Sequence, residues 1–119
     1  MRFLMMHRLD ESRPEAWHPS QEFVERMGAF VQEAVDNGVL ITAEGVHPSE
    51  KGALVRNSGH QVTVTDGPFT EAKEVIGGFA LINAADHAEA VAFAARYAEL
   101  FDEVEVEVRQ VVEFDEIPS

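Results

Sequence analysis

Apolar positions recur along the chain at a period near two in some stretches and near 3.6 in others, so strands and helices can be told apart. Residues 3–7, FLMMH, read as a first strand that is apolar on both faces. Residues 10–21, DESRPEAWHPSQ, read as a polar, proline-containing loop. Phe23, Met27, Phe30, Val31 and Ala34 then fall at helical spacing and predict a helix over 21–36 with one apolar stripe. Asn37-Gly38 ends it, because both residues tolerate the left-handed conformation of a helix stop. Residues 39–46 read as a strand running into the turn-rich HPSEKG at 47–52. The β-rich runs 53–56 and 61–65 flank NSGH at 57–60 and predict a hairpin. Residues 75–83, VIGGFALIN, make another strand. Asp86 and Glu89 have the spacing of a capping box for a second helix over 86–100, with Val91, Ala94, Ala95 and Ala98 expected on its apolar face. A last strand covers 104–112, and residues 113–119 read as a C-terminal tail.

The order is β-α-β, a hairpin, then β-α-β, within a single domain spanning residues 1–119. That is an α+β, ferredoxin-like split βαβ pattern with an extra hairpin: an antiparallel sheet with two helices on one face. Alternation in the last strand puts Val104, Val106 and Val108 toward the helices and Glu105, Glu107 and Arg109 on the opposite face. In the first strand Phe3, Met5 and His7 share one side, Leu4 and Met6 the other. The sheet face without helices is therefore part apolar and part charged. Such a face predicts a homodimer in which two open faces meet around a cavity.

Charge and composition narrow the function. The net charge is −13, with nine Lys and Arg, which disfavours direct nucleic-acid binding because phosphates need cations opposite them. The chain has no cysteine, hence no disulfide framework, thiolate metal site or cysteine nucleophile. The apolar run at the N-terminus is too short for a signal peptide or a membrane span, and a cytoplasmic protein is expected. No histidine spacing of a metal site, no phosphate-binding glycine loop and no serine in a nucleophile elbow occurs, so no cofactor is expected.

The stretch TDGPFTEAKEVIGGF at 65–79 is the candidate for chemistry. Pro68 fixes its own φ, and Gly67 permits close backbone packing beside Asp66. Asp66 either holds the turn by accepting amide hydrogen bonds or serves as a base or substrate anchor. Phe69 is a core plug or a stacking surface. Glu71, Lys73 and Glu74 are a solvated loop or, in the sharper reading, line the dimer cavity beside Glu44, Glu107 and Arg109. In that reading Asp66, Lys73 and Glu71 carry acid–base chemistry. His7, Glu44, Phe69, Glu74, Glu107 and Arg109 then bind the ligand.

The run TDGPFTEAKEVIGGFALI at 65–82 resembles the signature of the YCII-related proteins, in the branch called the DGPF domain. GAF at 28–30, EGVHP at 44–48, ALVR at 53–56 and VEVR at 106–109 are similar in the same order. The resemblance implies a ferredoxin-like fold that pairs as a dimeric α/β barrel, without a settled activity. Some relatives are proposed to use a His–Asp dyad near the first helix. Here Met27 stands where that histidine would fall and Asp36 stands at the aspartate, so the dyad does not carry over.

Two functions follow as expectations. One is binding of a small organic ligand in the dimer cavity, with cofactor-free acid–base catalysis of isomerase or lyase type as a possible extension. The alternative is a regulatory or accessory module, linked through the family to extracytoplasmic-function sigma factors.

Overall fold

The computed structural model describes residues 1–13, 16–70 and 72–117. Six strands and two helices run in the order β1 (Arg2–Leu9), α1 (Gln21–Asp36), β2 (Leu40–Gly45), β3 (Ala53–Ser58), β4 (Gln61–Asp66), β5 (Val75–Asn83), α2 (His87–Ala98) and β6 (Glu105–Gln110). Short 3₁₀ turns occupy Ser49–Lys51 and Phe114–Glu116. Four strands form one antiparallel sheet in the order β2-β5-β1-β6, while β3 and β4 pair only with each other. This is the expected ferredoxin-like order with a hairpin inserted between β2 and β5.

Each helix begins where a side chain can cap it. Ser20 Oγ accepts the Phe23 amide at 3.1 Å, and an Asp86 carboxylate oxygen accepts the Glu89 amide at 2.9 Å. Both helices cover the sheet face that carries Phe3, Met5, Ala80 and Ile82, with Val106 and Val108 packed alongside. The α1 stripe lies as its periodicity predicts, with Ala34 buried and Phe23, Met27, Phe30 and Val31 half-buried. In α2 the buried face is Ala90, Phe93 and Ala94, with Tyr97 beside it, while Val91 and Ala95 are exposed. The helix is rotated from the expected stripe because Phe93 and Tyr97 bury far more area than the alanines that surround them.

Two further expectations change. The hairpin turn is the two-residue Gly59-His60, with φ of 57° and 66°, so the strands extend into the four residues expected to form the turn. The described part of the C-terminal segment, residues 113–117, is ordered by contacts: Glu113 and Glu116 form a reciprocal capping box, and Arg2 holds the Glu113 carboxylate through two hydrogen bonds of 2.9 Å.

Strand alternation leaves Arg2, Leu4, Met6 and Arg8 on the face away from the helices. Opposite them on neighbouring strands stand Phe79 and Leu81 in β5, Glu107 and Arg109 in β6, and Thr42 and Glu44 in β2. Among the described residues, no helix covers this face.

Candidate functional site

The open face has an apolar centre and a charged border. Leu4, Met6 and Leu81 are half-buried there, and Phe79 is 37% exposed. The border is a connected ion network. Arg8 donates to Glu107 at 2.6 Å across the β1–β6 ladder, and Arg109 donates to the other oxygen of the same carboxylate at 3.1 Å. The hydrogen bonds from Arg8 and then Arg109 hold Glu107 below the usual carboxylate range. The Glu107 bond raises Arg8, with Glu105 and Glu74 adding to the field. Glu107 is thus a fixed anion that orients two guanidinium groups, and it is poorly suited to carry a proton near neutral pH.

Residues expected to share a site are dispersed within one chain. Glu44, Glu107 and Arg109 stand on the open face, and Glu74 lies in the field of Arg8. Lys73 is exposed and lies within the field of Asp10, whose carboxyl is lowered chiefly by two hydrogen bonds from Ser12. Asp66 is exposed at the end of β4, paired with Ala53. Glu71 lies outside the described residues. Clefts along α1 and between α1 and α2, lined by residues such as Glu33, Asn37, Phe93 and Arg96, contain none of these side chains.

His7 corrects the expected face. It follows the parity of Phe3 and Met5, so it points toward the helices and away from the open face. There its Nδ1 lies 2.8 Å from the Tyr97 hydroxyl, and its ring is 5.3 Å from that of Phe101. Burial lowers His7 and pushes the Tyr97 phenol up to about 12. Gly77 and Gly78 explain why the ring fits: a Cβ at Gly77 would lie 2.6 Å from His7 Nε2, and one at Gly78 would lie 2.8 Å from His7 Cε1.

The Asp-Gly-Pro-Phe stretch forms a structural clamp around Ser49. A Cβ at Gly67 would fall 1.6 Å from the Ser49 carbonyl oxygen, so only glycine fits there. The Gly67 amide donates to the Gly52 carbonyl at 2.9 Å, and the Gly67-Pro68 peptide is cis. Ser49 Oγ accepts the Phe69 amide at 2.9 Å and donates to Glu11, whose other oxygen accepts the Ser49 amide at 3.0 Å. The half-buried Phe69 ring lies beside Gly52. The clamp ties the base of the β3–β4 hairpin to the loop after β1. Neither Ser49 nor Glu11 stood out in the sequence, because their partnership crosses 38 positions and follows no motif spacing.

A family profile described as the YCII-related domain matches residues 1–115. The chain belongs to the YCII-related family. It is 34% identical over 87 residues to an uncharacterized protein of Rhizobium meliloti (strain 1021), covering 71% of this chain and 70% of that one. Among the described residues, no group of three or more acidic or histidine side chains is placed to hold a metal ion. No described helix of this YCII-related chain is long and apolar enough to cross a membrane.

Proposed function

We propose that this YCII-related protein, of the DGPF branch by its 65–69 stretch, acts as a homodimer that binds a small organic anion between two open sheet faces. The supporting observation is the Arg8–Glu107–Arg109 network beside the apolar Leu4, Met6, Phe79 and Leu81. An apolar floor with oriented guanidinium groups suits a carboxylate carried on an apolar or aromatic body. Glu44 borders the same face and would select against a second negative group.

Binding is favoured over proton transfer. The lowered Glu107 is a stable anion, and His7 faces the helix side. Asp66, Lys73 and Glu74 remain candidates for catalysis or ligand contact only if a second chain brings them to the shared cavity.

Native mass spectrometry of freshly purified protein tests the reading. The expected result is a dimer with a reproducible added mass that is lost in Arg109→Ala. A monomer overturns the shared cavity. A dimer that carries no added mass, and none when incubated with benzoate and related aromatic carboxylates, overturns the ligand.

A further inference from the structure

The β3–β4 hairpin is an arm without a cover. Val55, Val62 and Val64 share one of its faces and are 69%, 64% and 62% exposed. A two-stranded ribbon is marginal in water on its own. The chain as a whole is also too extended for a lone domain. Its radius of gyration is 16.4 Å, where about 13.5 Å is expected for its length. It exposes 8525 Å², against about 6,400 Å² for a compact monomer of its mass. The excess exceeds the roughly 800 Å² per partner that a standard interface covers.

A second apolar feature lies at the opposite end of the sheet. The C-terminal turn holds out Phe114, 91% exposed, with Val112 and Ile117 at 66% and 55%. The Arg2–Glu113 pair fixes this turn, and Arg2 belongs to the open face, so the turn borders that face. The arm leaves from the end where Leu9 pairs with Val75, while the turn sits at the end where Arg2 pairs with Asn83.

Charge does not oppose a contact between the two features, and Arg56 projects from the arm face opposite the valines. No Asp or Glu occurs between Lys51 and Thr65, a stretch that includes Arg56 and His60, in a chain with 22 acidic residues. The turn is acidic, with Glu113, Asp115 and Glu116.

We infer that the arm of one copy docks on the C-terminal turn of a second copy, with the valine face of the arm against Phe114 and Ile117. A two-fold axis running across the strands lays the open faces together and carries each arm to the partner's turn. One operation then closes two identical arm–turn contacts. The inference rests on the homodimer proposed above and adds what locks it.

The absence of native cysteine permits a direct test. Val64→Cys and Phe114→Cys change exposed side chains. The two variants are mixed, allowed to exchange, and treated with a short bis-maleimide, with each variant alone as the control. The expected result is a cross-linked dimer in the mixture and much less in either control. A dimer by native mass spectrometry whose mixture gives no cross-link overturns the arm–turn contact and leaves the open-face dimer standing. Equal cross-linking of Val64→Cys alone also overturns it, by placing arm against arm. A monomer overturns both proposals. Phe114→Ala is expected to raise the dimer dissociation constant about tenfold or more, as loss of a central aromatic anchor does.

Discussion

The Tyr97 hydroxyl lies 2.8 Å from His7 Nδ1 and joins α2 to β1 beneath a layer of aromatic rings. With its phenol pushed up to about 12, Tyr97 keeps its proton, and the hydroxyl can donate to a bare Nδ1 or accept from a protonated one. Protonating His7 would make Nδ1 a donor to the Tyr97 oxygen, in a place that burial makes unfavourable for charge.

Stability should therefore fall on mild acidification. Burial sets the folded His7 below its ordinary value of 6.5. Between those two values the unfolded chain binds the extra proton and the native state does not. The stability is complete above 6.5 and declines as pH falls from there through the folded value. Urea midpoints from pH 8 to pH 5.5 should drop for the native sequence and drop less for His7→Gln. Equal slopes for the two proteins would show that other groups set the dependence.

Removing only the hydroxyl isolates its bond. Tyr97→Phe should lose about 0.5–1.5 kcal/mol, the net worth of one partly buried hydrogen bond. The same change reads the direction of the bond: the imidazole should titrate at a higher pH by NMR where the phenol donates to Nδ1, and at a lower pH where it accepts. An unchanged titration would show that the hydroxyl favours neither protonation state.

Much of the fold was legible, but the site was less so, and the difference is physical. The α1 stripe and the β6 alternation are carried by large apolar residues at a clean period, and each lies on the expected face. In α2, alanines at nearly every register flatten the period, and Phe93 and Tyr97 alone reveal the buried side. Parity already grouped His7 with Phe3 and Met5, which is the helix side. Arg8 was not singled out because its importance comes from Glu107, 99 positions away on the neighbouring strand. Asp-Gly-Pro-Phe announced a rigid turn, but nothing in the stretch identified Ser49 as what it encloses.

The Arg8–Glu107–Arg109 network should matter more to ligand binding than to folding. All three side chains are partly or largely exposed, with Arg109 at 71%, and exposed ion pairs are screened by solvent. Glu107→Gln should leave the thermal midpoint nearly unchanged. It should also release both guanidinium groups from their fixed orientation and weaken binding of an aromatic carboxylate measured by calorimetry. A large loss of thermal stability would mark the network as structural.

Three glycines give a graded test of which contacts are rigid. At Gly67 the obstacle to a Cβ is the Ser49 backbone at 1.6 Å, and backbone held by the Glu11 bonds cannot retreat. At Gly78 it is the Glu44 carbonyl at 2.8 Å, within a sheet ladder but at a less severe distance. At Gly77 the closest atoms are His7 Nε2 and Leu9 Cδ1, both side-chain ends that can turn away. The cost of alanine should therefore rank Gly67, then Gly78, then Gly77, with Gly67→Ala at about 3 kcal/mol or more, the upper range for overpacking. Ser49→Ala should fall below that, at about 1–3 kcal/mol, because it leaves the Phe69 amide without its acceptor but creates no clash. Chemical denaturation of the four variants gives the order directly. If Gly77→Ala proves the most damaging, the rigid point of the fold is the His7 packing and not the clamp on Ser49.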